Sequence, residues 1–391
     1  MSPVVLMRVA ACSSVVMALV AGCGDRALPA PAAPAAGGAV VADTARDGAH
    51  PIVTVRGAPA TWNLRADSLA TPDGLVPRAV LLEGDAVWVA DSAAGRVVRL
   101  GGATPVTLAA PDSGALRAPI ALGWSGAELA VFDPVAAQVH RYATDGAWRA
   151  MSRAVGVSGG PNVRFYPTGA AQSRLFQFTF RETREPAPAF VRFPAEGRDD
   201  LLILPPGLWT PPIGTVLCRE AAGARSFTSP YVGGTLWHPT ADGALLAVDA
   251  AAYRLVVISA TGDTLRELRR PVERLPLTEG EWREALLPAE RWVAAHPAAQ
   301  CTGRFVREAQ KPALRAVTLD DRGRTWVERL TPTGPVWEVW LGDRLLADVP
   351  GPARVEGVPV DIRGGWFAAV VADATGRLRV MRWRITETPG A

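Results

Sequence analysis

Chemistry in this chain has few places to start. It holds four histidines, His50, His140, His238 and His296. None sits in an H-x-x-x-H or H-E-x-x-H spacing, and no C-x-x-C occurs, so the sequence offers no transition-metal site. It has no G-x-S-x-G elbow for a nucleophilic serine and no Walker-type loop. The glycine-rich stretch Gly156-Val157-Ser158-Gly159-Gly160 runs into Pro161 and has no lysine to meet a phosphate. No cofactor is implied. His238 is the imidazole most worth testing, because it precedes Pro239 where a repeat unit begins. Trp237 beside it, and Trp209 and Tyr231 in nearby connections, are candidates for an aromatic surface that binds a peptide or glycan.

The positions of these residues depend on a repeat. Leu82 to Asp91 reads as a turn and a β-rich strand. Ser92 to Gly95 is a short loop, and Arg96 to Leu100 is the returning strand. Similar units begin at Trp124, Asp242 and Gly365, and weaker ones run from Arg174 to Phe193 and from Asp321 to Leu341. In three units the strand ends on an aspartate and its partner restarts five residues later: Asp91 to Arg96, Asp133 to Gln138 and Asp249 to Arg254. An acid there can accept backbone N–H groups from the turn, so these carboxylates are expected to fasten hairpins rather than bind ligands.

The pattern resembles the NHL-type and related TolB-like six-bladed β-propellers, in which a strand ending Val-Ala-Asp leads through a short loop to Arg-Val. Val89-Ala90-Asp91 and Arg96-Val97 carry the likeness best, and it extends from about Pro77 to Ile385. It implies an all-β fold, a six-bladed β-propeller of four-stranded antiparallel blades over residues 51–391. Each such unit is too small to bury both faces alone, so stacking with neighbours supplies the core. A strand near Ile52 to Val55, or Thr61 to Leu64, is expected to complete the last blade. Trp88, Trp326 and Trp366 occupy equivalent strand positions and are expected in the blade core.

An insertion at about 269–312 interrupts the units. Thr278-Glu279-Gly280-Glu281 is a capping box that starts a helix. Pro288 either stops that helix or starts a second one. Trp282, Leu286 and Val293 are expected to dock the insertion, as a lid or as a brace.

At the N-terminus, Met1 to Arg8 is weakly basic and Val9 to Val20 is apolar but too short to span a bilayer. Val20-Ala21-Gly22-Cys23-Gly24 resembles the lipobox of bacterial lipoproteins. That likeness implies a signal peptide over 1–22, lipidation of Cys23 and a membrane as partner through the acyl chains. Residues 23–50, rich in Ala and Pro, are expected to form a tether. The implied location is the bacterial cell envelope, facing the periplasm or exterior. Cys12 leaves with the leader and Cys23 takes the lipid, which leaves Cys218 and Cys301 as a disulfide candidate in an oxidising compartment. Two separate buried thiols are the other reading.

Composition narrows the partners. The formal charge is +3, with 41 basic and 38 acidic residues. The basic side chains are spread along the chain and are all arginine but Lys311, so a nucleic-acid partner is not expected. The expected function is a lipid-anchored binding or protein-interaction module for an envelope protein, peptide or glycan. The alternative is a propeller hydrolase or lyase of the lactonase kind. Six-bladed sugar-lactone hydrolases use acidic and Asn ligands around a metal, whereas here Asn occurs only at Asn63 and Asn162.

Overall fold

The structure is a computed structural model. It describes residues 40–47, 50–101, 106–111, 114–153, 165–167, 172–180, 186–194, 200–203, 214–221, 223–240, 244–259, 263–355 and 357–388. Cys23, the leader, most of the tether and Trp209 lie outside these residues. Among the described residues the fold is mostly β, with one helix, and four-stranded antiparallel sheets follow one another along the chain.

The first sheet joins Pro77–Glu83, Ala86–Asp91, Arg96–Leu100 and Val106–Thr107 in sequence order. The second joins Ala121–Ser125, Glu128–Asp133, Gln138–Tyr142 and Trp148–Arg153. The third runs from Phe165–Pro167 through Gln172–Phe180 and Pro186–Pro194 to Asp200–Ile203. The fourth contains Thr235–Pro239, Leu245–Asp249, Arg254–Ile258 and Thr264–Arg269. The fifth contains Ala316–Leu319, Thr325–Thr331, Gly334–Leu341 and Arg344–Pro350. In the sixth, Asp361–Arg363, Trp366–Ala372 and Leu378–Thr386 take their fourth strand from Asn63–Ser68.

Why these segments are strands is visible in the first sheet. Ala86-Val87-Trp88-Val89-Ala90-Asp91 is buried at every position. Alternate residues serve opposite clusters: Val87 and Val89 pack with Val370 and Val380 of the sixth sheet, and Trp88 and Ala90 with Leu129 and Val131 of the second. A strand buried on both faces reads as a continuous apolar run rather than an alternating one. The first strands of successive sheets touch in the order fourth, fifth, sixth, first, second and third.

Three side-chain bonds to backbone reinforce this order. Asp361 accepts the Leu82 N–H at 2.7 Å, Trp124 Nε1 donates to the Leu82 carbonyl at 3.0 Å, and His238 Nε2 accepts the Leu319 N–H at 3.3 Å. Each satisfies a backbone group on the first strand of a neighbouring sheet that sheet pairing leaves open.

The N-terminal segment runs along three sheets. Val41–Asp47, within the stretch expected to be tether, is a strand antiparallel to His50–Arg56. His50–Arg56 lies parallel to Thr264–Arg269 in the fourth sheet, so Ile52 to Val55 does not complete the last sheet. Ala60–Thr61 then pairs parallel with Arg344–Pro350 in the fifth, and Asn63–Ser68 joins the sixth.

Glu279–Ala295 is one continuous helix. Its capping box is formed by Thr278 and Glu281, and Pro288 lies inside it. Pro288 therefore neither ends the helix nor starts another. The carbonyl that loses its donor belongs to Glu284, and both residues are exposed, so water can replace the missing bond. Val293, expected to dock, is 40% exposed. Trp292 takes that role, meeting Phe227 with ring centroids 5.5 Å apart.

The fifth sheet carries a buried glutamate on each face. Glu328 receives Arg315 at 2.9 and 3.0 Å and Arg354 at 3.1 Å. Glu338 receives Arg329, Arg270 and the Tyr253 hydroxyl. Both glutamates are fully buried. Removing one partner from such a cluster strands the opposite charge, at a cost of about 3–5 kcal/mol. Glu328→Gln is expected to lower the stability measured by urea denaturation by an amount of that order. Arg283→Gln, at an exposed helix pair, is expected to leave the midpoint nearly unchanged.

Candidate functional site

The carboxylates at the hairpin turns are bound to backbone. Asp91 accepts Ala94 N–H and Val76 N–H and pairs with Arg96 at 3.1 Å. Asp133 accepts Val135, Ala136, Arg117 and Ala118 N–H groups. Asp249 accepts Ala251 and Ala252 N–H groups. All three hairpins place the residue before the returning strand in the left-handed region: Gly95 at φ 60°, Ala137 at 50° and Tyr253 at 46°. At Gly95 a Cβ would stand 2.8 Å from the Arg117 carbonyl oxygen, so glycine is required there. At Ala137 and Tyr253 the aspartate's bonds to the turn help to offset that conformation's cost.

His238 is also engaged. It is 8% exposed, its Nδ1 stands 2.8 Å from the Pro239 carbonyl, and its Nε2 accepts Leu319 N–H. The carbonyl calls for a proton on Nδ1 and the N–H for a lone pair on Nε2, so the two bonds fix a neutral tautomer. Trp237, adjacent on the same strand, is buried and points to the opposite face. Tyr231 sits before that strand at φ 58°, with Lys311 Nζ 5.9 Å from its ring centroid. The structure does not bring His238, Trp237 and Tyr231 into one open cluster.

His140 differs. It and Tyr142 are fully buried, with ring centroids 6.5 Å apart. Neither His140 nitrogen nor the Tyr142 hydroxyl has a hydrogen-bond partner. Desolvation lowers the His140 pKa, opposed by the Asp133 charge, and burial pushes the Tyr142 hydroxyl up to about 12. Asp348, near Glu338, is pushed up to about 6, chiefly by burial. These are groups held in neutral or ion-paired interiors. Among the described residues, no three His, Cys, Asp or Glu side chains stand close enough together to hold a metal.

Cys218 and Cys301 face each other on antiparallel strands, Thr215–Glu220 and Gln300–Gly303, and are joined by a disulfide. With Gly223–Thr228 these strands form a small separate sheet. Trp292 stacks on His296 at 4.1 Å, and Arg225 lies over Phe227 and Trp292. The other end of the helix is held by Glu279–Arg307 and Glu281–Lys311 pairs. An element pinned at both ends by ion pairs, ring contacts and a disulfide has the form of a brace.

An open polar row lies on the sixth sheet, and residue-by-residue reading missed it. Arg363 pairs with Trp366, Trp366 with Arg384, and Arg384 with Arg65. Cross-strand partners share a face, so the four side chains form one row across four strands. Arg65 and Arg384 are exposed, while Arg363 and Trp366 are half-buried. The guanidinium groups of Arg382 and Arg384 lie 4.8 and 5.1 Å from the Trp366 ring centroid. Other arginines of the sheet have acids: Arg382 has Asp67 at 2.9 Å, Arg379 has Asp373 at 3.2 Å, and Arg377 has Asp73. Arg384 and Arg65 form no ion pair among the described residues, whereas Arg363 lies beside Asp361 of its own strand and offsets that carboxylate's charge, its Nε being buried without a hydrogen-bond partner. The sequence signal was Arg382-Trp383-Arg384 with Arg65. Only the pairing of distant strands puts them side by side.

No protein-family model matches the chain, and no curated protein matches it in sequence. Several solved structures are similar to it. Virginiamycin B lyase from Staphylococcus aureus is 12% identical, over 83% of this chain and 99% of that one, with a TM-score of 0.42. The β-propeller domain of Cps50 (Swd1) from Myceliophthora thermophila is 17% identical, over 82% and 99%, at 0.39. The calcium-binding protein regucalcin from Agrobacterium tumefaciens is 10% identical, over 85% and 97%, at 0.40.

The lowered His140 pKa gives a signed expectation. A histidine whose folded pKa is depressed contributes stability above its ordinary value of about 6.5, and loses it as pH falls through the folded value. Between pH 7.5 and pH 5 the wild type is expected to lose more thermal stability than His140→Leu. Melting curves with parallel pH slopes for the two proteins would contradict this.

Proposed function

We propose that this chain is a lipid-anchored protein of the bacterial cell envelope. In this reading its six four-stranded sheets close into an NHL-like β-propeller that acts as a binding or protein-interaction module. The lipobox-like Val20-Ala21-Gly22-Cys23 supports the anchor. The contact order of the first strands supports closure, as does Asn63–Ser68 joining Leu378–Thr386. No helix among the described residues is long and apolar enough to cross a membrane.

One observation carries the binding reading. The side chains best suited to acid–base chemistry hold the fold: His238 bridges two sheets, Asp91, Asp133 and Asp249 fasten turns, and Glu328 and Glu338 are clamped by arginines. On the sixth sheet the exposed Arg384 and Arg65 stand beside Trp366, a grouping that suits recognition more than proton transfer.

Two measurements test the reading. Cys23→Ala is expected to move the protein out of the membrane fraction or leave it unprocessed. Normal processing with membrane retention would count against the anchor. Calcium, manganese or zinc at millimolar concentration is expected to leave the melting temperature unchanged, and the protein is expected not to open sugar lactones. A ligand held far above its dissociation constant stabilises by several kcal/mol, so a metal-dependent shift with lactone turnover would favour the hydrolase.

A further inference from the structure

We propose that Met151 is a site of reversible oxidation, and that the imidazole of His140 holds the oxygen it gains. This goes beyond the binding reading and does not depend on it. Met151 lies on Trp148–Arg153, the edge strand of the second sheet, directly opposite His140. It is 38% exposed, so a small oxidant reaches its sulfur. His140 is fully buried, and neither of its nitrogens has a hydrogen-bond partner. The two side chains border one space beside Gly114: a Cβ there would stand 3.5 Å from Met151 Sδ and 4.0 Å from His140 Nδ1.

The neighbours of the imidazole explain why it is unpartnered. Leu122, Val131, His140 and Met151 are successive cross-strand partners over four strands, so they share one face. On the inner side, Val131 and Leu122 offer no acceptor. On the outer side, the thioether sulfur of Met151 is a weak one. Burial keeps the ring neutral, so one nitrogen carries a proton and needs an acceptor. Tyr142, on the same face with its ring centroid 6.5 Å away, has its own hydroxyl unpartnered and does not supply one.

Oxidation turns the weak acceptor into a strong one. A sulfur lone pair attacks one oxygen of hydrogen peroxide. The S–O bond forms as the O–O bond breaks, and the other oxygen leaves as water, taking the first oxygen's proton. Sulfur gives up two electrons and the peroxide gains them. The sulfoxide oxygen then accepts the His140 N–H. A sulfoxide commonly disrupts structure because it sets a polar group among apolar ones. At Met151 the side chain is exposed on an edge strand, and the group behind it is a donor lacking an acceptor, so oxidation stabilises instead. A thiol-dependent sulfoxide reductase removes the oxygen as water, its own thiols becoming a disulfide, and restores the thioether.

The test treats the full chain with hydrogen peroxide, follows each methionine by peptide mass mapping and records melting curves. Met381, half-buried on the sixth sheet, is the internal reference. Met151 is expected to gain one oxygen at least about threefold faster than Met381. The oxidised wild type is expected to melt about 2 °C above the untreated protein. A methionine sulfoxide reductase is expected to reverse that rise, against a control given its thiol reductant alone. His140→Leu, which has no donor, is expected to melt no higher after oxidation, and Met151→Leu is expected not to respond. If His140→Leu does not fold, Met151→Gln replaces it: its fixed amide oxygen is expected to raise the melting temperature above that of Met151→Leu.

A melting temperature unchanged or lowered by oxidation of the wild type would overturn the proposal. So would an equal rise in His140→Leu, a rise that persists in Met151→Leu, or oxidation of Met381 ahead of Met151.

Discussion

The fold depends on a pairing between two segments more than three hundred positions apart in the chain. Asn63–Ser68 is the fourth strand of the sheet whose other three strands end at Thr386, with Asn63 opposite Thr386 and Ser68 opposite Met381. Without it, Leu378–Thr386 would present an unpaired edge, and the sheet between the fifth and the first would lose a strand. The pairing fixes the register of the last strand. That register decides which face receives Trp383 and Ile385 and which receives Val380 and Arg384.

Around that pairing the sheets are held by two kinds of interaction. Apolar clusters fill the spaces between neighbours, with Trp326, Trp337 and Trp340 fully buried. Polar contacts then specify alignment: glutamates between pairs of arginines, and single side chains reaching a backbone group of the next sheet. The latter are short in number but directional, so they set angle and height where apolar contact alone would permit sliding. The same use of polar groups explains why residues with catalytic potential are spent on structure. A histidine with both nitrogens bonded, or an aspartate surrounded by turn N–H groups, has no free capacity for a substrate.

Much of the local structure was legible in the sequence. Val-Trp-Val-Ala-Asp followed by a short loop and Arg-Val gave strand, turn and returning strand, because β-branched runs and turn-binding acids act over a few residues. The capping box of the helix was equally local. Pro288 lies inside the helix although it lacks an N–H, because the exposed carbonyl it leaves without a donor can be satisfied by water. Of the two segments expected to finish the last sheet, Ile52 to Val55 joins the fourth instead, and Thr61 to Leu64 overlaps the strand Asn63–Ser68 that does finish it, since any apolar N-terminal strand can serve. The choice among fourth, fifth and sixth sheets is made by which edges are free and how far the chain reaches. The row of arginines was hidden for the same reason: Arg363, Arg384 and Arg65 lie far apart in sequence and share no motif.

By itself the sequence determined the repeating hairpin, the positions of its turns, the insertion and the resemblance of Val20 to Cys23 to a lipidation signal. Each follows from chemistry within about ten residues: propensity, turn bonding and apolar runs. Only the tertiary structure decided that His238 is a bridge between sheets, that the N-terminal segment lies along three of them, and that Arg363, Trp366, Arg384 and Arg65 stand in line. Those outcomes are set by strand pairing and burial, which join residues by position in space and leave no signature in their order along the chain.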